Sequence, residues 1–220
     1  MTMQVATKET SRDLPGAQTQ EEIASLPLTT EDGTKVPFNS LYTSSSSSEN
    51  TSTSSKHLII FIRHFFCGSC EEYVRNLTRH TSTFSSSINL TIIASGLPNQ
   101  IPGYRQRTGT TFPIFCDPER KIYAALGMTN NYGSGEKKPG YIQQGSAWLA
   151  LKSSWTLLTS KGGLGMEGGH PGQNGGEVVV VGSEGKWVFC HRMLSTRDHA
   201  EVGELLELLG LEGKEGKESL

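Results

Sequence analysis

Residues 57–77, HLIIFIRHFFCGSCEEYVRNL, decide how the chain is read. The stretch opens on Leu58 to Ile62, apolar and mostly β-branched. An unbroken apolar run is the pattern of a strand covered on both faces, as in a parallel sheet. The chain then turns through Arg63, His64, Phe65 and Phe66 into Cys67-Gly68-Ser69-Cys70, and leaves with Tyr73, Val74 and Leu77 on one helical face. If the helix starts near Cys67, that sulfur faces unpaired backbone N–H groups, and the helix dipole favours negative charge there. Such a site lowers a cysteine pKa from about 8.5 to roughly 3.5–7.5, and the thiolate is the nucleophile. Cys70 lies three residues on, on the same helical face, and can reach back. Cys67 is thus expected to attack and Cys70 to resolve. Half of a zinc site and two inert buried cysteines are the competing readings. Zinc needs more ligands, and Cys116 and Cys190 are single and far off in sequence, so no metal or other cofactor is expected.

The rest of the composition narrows the class. A chain of 220 residues holds one ordinary domain with extensions. Its net charge of −2 gives no reason to expect a nucleic-acid partner. The first twenty residues lack the apolar core of a signal peptide, and no apolar stretch is long enough to span a bilayer. A cytoplasmic, reducing location is expected, with no membrane partner. The sequons at Asn50, Asn76 and Asn89 then read as chance matches.

Residues 1–20 are polar and aperiodic and read as disordered or loosely attached; a domain at 21–210 and a charged tail at 211–220 follow. A short helix near Gln20 and a small hairpin across Leu26–Phe38 open the domain. The Ser/Thr-rich segment 43–56 cannot bury a core and reads as a surface loop. Strands are expected at 57–64, 88–95 and 112–116, with helices at 68–80 and 98–108 and one starting on Asp117-Pro118. An insertion at 128–175 combines a loop, an amphipathic helix with Trp148, Leu151, Trp155 and Leu158 on one face, and a flexible glycine-rich loop at 161–175. The loop has no phosphate-cradle pattern; a lid over a site is one role for it. A hairpin at 177–190 and a helix capped by Ser195-Thr196 finish the domain. Parallel βαβ units, then an antiparallel hairpin and a helix, make an α/β thioredoxin-like fold with a mixed central sheet flanked by helices. A C-x-x-C between strand and helix is the redox signature of that fold.

On these residues the chain resembles the peroxiredoxin-like 2 branch of the AhpC/TSA superfamily, whose relatives include the selenoprotein U group and fungal proteins. The resemblance rests on FIRHFFCGSCEEYV at 61–74, FPIFCDPERKIYAALGM at 112–128 and the stretch 175–210. It implies thiol redox activity with the motif cysteines at Cys67 and Cys70. Typical peroxiredoxins carry Pro-x-x-x-Thr-x-x-Cys at the reacting thiol; here Ile60 and His64 stand in the Pro and Thr places. Gly175-Gly176 occupies the region of the thioredoxin cis-proline and of the peroxiredoxin arginine. Arg63, His64 and Arg192 are candidates for substitute charge, with Phe66 and Gly176 as further supporting positions. His64 and His191 each read as structural or catalytic.

Three functions follow. The leading one is a thiol oxidoreductase acting on a peroxide or disulfide, re-reduced by a thioredoxin or glutathione system. The alternative is a repurposed enzyme of fungal small-molecule biosynthesis, isomerising or cyclising an apolar metabolite. The third is a binding module without turnover, forming a homodimer through exposed apolar surface.

Overall fold

The opening apolar run forms the middle of the sheet in the computed structural model, which describes residues 7–43, 55–81, 84, 88–133, 135, 139–142 and 167–211. In chain order its elements are α1 (Ala17–Ser25), β1 (Pro27–Thr29), β2 (Lys35–Pro37), α2 (Ser40–Thr43), β3 (Lys56–Ile62), α3 (Gly68–Arg79), β4 (Ile88–Ala94), α4 (Ile101–Thr108), β5 (Ile114–Cys116), α5 (Lys121–Ala125), β6 (Gly176–Val181), β7 (Lys186–Arg192) and α6 (Val202–Leu208). They build one seven-stranded sheet in the order β2-β1-β5-β4-β3-β6-β7. β3 runs parallel to β4, β4 parallel to β5, and β6 antiparallel to both β3 and β7. This is the thioredoxin-like arrangement, extended past β5 by the β1–β2 hairpin.

The run at 58–62 is apolar throughout because both faces of β3 are covered. Leu58, Ile60 and Ile62 enter one core with Tyr73, Val74 and Leu77 of α3 and Leu205 of α6. Ile59 and Phe61 enter the other with Ile23, Phe38 and Tyr123. All five strand residues are fully buried. Each contributes about 1.5–3 kcal/mol of burial, so β3 anchors whatever hangs from its end.

Several expected boundaries shift. The helix expected from Pro118 begins only at Lys121, because Arg120 sits in the left-handed region at φ 56°. Asp117 still caps it: its carboxylate accepts the N–H groups of Lys121, Ile122 and Tyr123. The last helix starts at Val202, not at Ser195-Thr196. The intervening N–H groups are taken elsewhere: Leu194 donates to Asp198, His199 to the Tyr141 hydroxyl and Ala200 to Glu177. With those donors spent, no helical ladder can form there.

Residues 7–16, read as loose from composition, lie against β7. Arg192 N–H donates to the Ser11 carbonyl, and the Arg192 guanidinium to the carbonyls of Thr10 and Asp13. Tyr141 and Ile142, inside the expected loop, are buried in the α3-side core. The expectations for 44–54 of the Ser/Thr segment, for the helix with Trp148 and Trp155, for 161–166 and for the tail past Leu211 fall outside the described residues. Among the described residues no helix is long and apolar enough to cross a membrane.

Candidate active site

β3 ends at Ile62, and the chain turns over five residues into α3. Cys67 is the N-cap of that helix, and its sulfur accepts the Cys70 N–H at 3.3 Å. The Cys70 sulfur lies 2.7 Å from it, and both are free thiols. A small shift brings the pair to the roughly 2.05 Å of a disulfide. Cys67 is 3 % exposed and Cys70 is fully buried.

Arg63 sets the charge. Its Nη1 lies 3.6 Å from the Cys67 sulfur, while Nε donates to the Gln173 carbonyl at 2.9 Å and Nη2 to the Pro171 carbonyl at 2.6 Å. The guanidinium is therefore held rigidly beside the sulfur by the Pro171 and Gln173 carbonyls. Ser69 Oγ is 3.2 Å from the same sulfur and donates to the Thr196 carbonyl at 2.8 Å. Burial alone would push the Cys67 thiol up. The Cys70 hydrogen bond, the Arg63 charge and Ser69 outweigh it and hold Cys67 well below the usual thiol range. Burial and the facing Cys67 push Cys70 well above that range. Cys116 and Cys190 have only the second fate: burial raises them to about 12 and about 11. Of the four thiols, Cys67 alone is drawn toward the thiolate.

The other supporting candidates separate. His64 is partly buried next to this group, and burial, reinforced by the Arg63 charge against the pull of Cys67, lowers it to about 4. Arg63 is therefore the standing positive charge beside the sulfur, and His64, when protonated, draws Cys67 down as well. Phe66 forms a wall: the Arg107 guanidinium sits over its ring at 5.6 Å, and a Cβ on Gly168 would come within 2.1 Å of it. Gly168 also accepts the Phe65 N–H at 2.8 Å, and Glu167 accepts the Leu97 N–H. Residues 167–174, expected as part of a flexible loop, are thus pinned as a roof on the cysteine turn. Gly176 is a close-approach position, where a Cβ would meet the His191 carbonyl at 2.0 Å. Arg192 is spent elsewhere, on the carbonyls of Leu126, Thr10 and Asp13.

Two residues on the far side of Cys70 were not singled out from sequence. His199 Nε2 lies 3.4 Å from the Cys70 sulfur. His199 Nδ1 lies 2.5 Å from Glu177 Oε1, and Glu177 Oε2 accepts from His191 Nδ1 at 2.8 Å and the Ala200 N–H at 3.2 Å. Glu177 is fully buried. Burial would raise its pKa, but His199 and His191 hold it down at about 2. Burial opposes charge on His191, yet the Glu177 hydrogen bond and charge raise it. The signal in the sequence was one carboxylate standing in GEVVVV, a strand otherwise apolar. Among the described residues, no group of three or more His, Cys, Asp or Glu is arranged to hold a metal ion. A hollow lined by Thr30, Glu31, Asp32 and Thr34 lies at the β1–β2 turn, strands away from the cysteines.

Known proteins carry the same plan. A sequence profile of the AhpC/TSA antioxidant enzyme family matches residues 76–195. Peroxiredoxin-like 2C of Homo sapiens is 30% identical over 188 residues, covering 84% of this chain and 77% of that protein. The chain belongs to the AhpC/TSA family, in its peroxiredoxin-like branch. Peroxiredoxin-like 2C of Bos taurus is 28% identical, covering 84% of this chain and 76% of that one. The bacterioferritin comigratory protein of Xanthomonas campestris superposes with a TM-score of 0.50 at 12% identity, covering 86% of this chain and 91% of that one. That likeness concerns the fold alone. The AhpC/TSA profile begins after Cys70, so its match rests on the sheet beyond β3 and is silent on the cysteine pair.

Proposed function

We propose that this peroxiredoxin-like chain is a thiol-dependent oxidoreductase in which Cys67 attacks a peroxide or a disulfide and Cys70 resolves the product. The carrying observation is the Cys67 sulfur at a helix N-cap, with Arg63 at 3.6 Å and a second thiol at 2.7 Å. With a peroxide, the Cys67 thiolate takes the distal oxygen, becomes a sulfenic acid, and releases an alkoxide or hydroxide that is protonated. With a disulfide, it takes one sulfur and releases the other as a thiolate. Cys70 then closes the Cys67–Cys70 disulfide, and an external dithiol or glutathione-type thiol reduces it. The Arg63 Nη1 donor stands where oxygen charge would develop at the sulfur, the role a peroxiredoxin gives its own donors. Free Cys116 and Cys190 thiols fit a reducing, cytoplasmic setting.

Cys67→Ser is expected to abolish both peroxide and disulfide turnover. Cys70→Ser is expected to leave a sulfenic acid or mixed disulfide on Cys67, read by intact mass after one oxidant equivalent. Undiminished turnover by Cys67→Ser, measured with peroxide and with a small disulfide, would falsify the reading.

A further inference from the structure

The buried group behind Cys70 has no part in charging Cys67, yet it is built with care. Glu177 is a fully buried carboxylate at the start of β6 with three donors on it, His191 Nδ1, His199 Nδ1 and the Ala200 N–H. Burying such a charge costs several kcal/mol before pairing. A hydrophobic residue would serve packing as well at that place. His199 is clamped as tightly: Tyr73 of α3 stacks on its ring at 4.2 Å and 5°, and its N–H donates to the Tyr141 hydroxyl at 3.1 Å. In the neutral ring, a proton on Nδ1 shared with the carboxylate leaves Nε2 as an acceptor. That bare nitrogen points at the Cys70 sulfur, 3.4 Å away.

We infer that His199, oriented by Glu177, is the general base and acid for Cys70 in the resolving step. The inference rests on the proposed roles of Cys67 and Cys70. In the reduced protein the Cys70 proton faces the Cys67 thiolate and stabilises it. Once Cys67 carries oxygen or a second sulfur, it is no longer an anion, and that proton has a better acceptor in His199 Nε2. The Cys70 sulfur passes its proton to Nε2 and uses the freed electron pair to form the S–S bond. The Cys67 S–O bond, or the S–S bond to the substrate fragment, breaks, and the leaving group departs with that pair. For the sulfenic acid the leaving hydroxide takes the proton from His199 and leaves as water, so atoms and electrons balance. When an external thiol attacks Cys67 and reopens the disulfide, the proton that thiol gives up passes through His199 to the departing Cys70. A general base of this kind is worth roughly 10²–10⁴ in rate. It is needed most at Cys70, the thiol that burial and Cys67 make hardest to ionise. Thus His199 is a catalytic residue and Glu177 a positioning residue.

The test uses 4,4′-dithiodipyridine, a neutral disulfide whose thiopyridone product is coloured. Attack by Cys67 releases the first thiopyridone, and attack by Cys70 on the mixed disulfide releases the second. Cys67→Ser gives the background from other thiols. In the unsubstituted chain the second release follows the first with little mixed disulfide accumulating. In His199→Gln the first release is expected to keep its rate, while the second slows about 100-fold and the mixed disulfide persists in intact mass spectra. Paired release at the unsubstituted rate in His199→Gln overturns the inference and leaves the proposed function standing. Absence of the first release in the unsubstituted chain sinks that function and this inference together.

If His199→Gln does not fold, the unsubstituted chain still decides. The groups facing His199 are Cys70 and Tyr73 from α3, Glu177 from β6, Tyr141 from the loop and, through the shared carboxylate, His191 from β7. A base-relayed Cys70 keeps the mixed disulfide scarce as pH falls from about 9 to about 7, whereas an unassisted thiol slows about tenfold per pH unit. Steady accumulation of the mixed disulfide across that range would overturn it.

Discussion

Arg63 does two jobs with one side chain, and the sequence shows only that it is near the cysteines. Its charge reaches the Cys67 sulfur, and its other two donors hold the carbonyls of Pro171 and Gln173. Arg63→Gln should raise the Cys67 pKa by about 1 or more, since an opposite charge at this range is worth about 1–3. Thiolate absorbance followed against pH reads it, and an unmoved titration would show that the helix N-cap alone sets the charge. The cysteine pair itself was legible, because C-x-x-C after an apolar run carries its own geometry. His199 was not: it sits in RDHAEV, a polar stretch that reads as the first turn of a helix. Only the fold, by spending the backbone donors of Leu194, His199 and Ala200 on side chains, turns that stretch inward to Cys70. His64 was legible as a neighbour of the motif, but its place there says nothing of its protonation.

At the scale of elements, the strands were the readable part. β3, β4, β6 and β7 are continuous apolar runs or a hairpin with a clear turn, and such patterns survive in one dimension. The starts of α5 and α6 were less readable, because a single left-handed residue or a diverted N–H moves a boundary without changing the periodicity. β6 shows a further constraint. Gly176 pairs with Phe61 of β3 on one side and Arg192 of β7 on the other, with the His191 carbonyl where a methyl would go. That obstacle is backbone in a three-strand ladder and cannot rotate away. Gly176→Ala is expected to cost about 3 kcal/mol, visible as a lower midpoint in urea; a loss under about 1 kcal/mol would mean that β7 yields. The glycine therefore supports the site by letting β6 lie close enough to deliver Glu177, the next residue, beneath α3.

For the whole molecule, the buried ionisable groups set the acid limb of stability. Glu177 ionises at about 2 in the folded chain, below its unfolded value of about 4.3. Its contribution is thus complete above that unfolded value and is lost as pH falls through the folded one. His64, held at about 4, works in a higher window: below about 6.5 protons bind the unfolded chain first, and stability drops until about 4. His191 acts with the opposite sign, since its raised value favours the fold below about 6.5 and that benefit fades as pH rises through the folded value. Urea midpoints should therefore decline on acidification in two stages. Glu177→Gln should flatten the stage below about pH 4. The same decline in both proteins over that stage would mean the carboxylate is not what protons attack. The roof over Cys67 has a last consequence, and it concerns kinetics. A residue only 3 % exposed, next to the Arg63 that residues 171 and 173 tie down, can be met by a small hydroperoxide in a collision. A protein disulfide has to wait for the roof to lift. Observed rates with bulky oxidants should then saturate with concentration, and at one common ceiling whatever their leaving group, because the waiting time belongs to this chain.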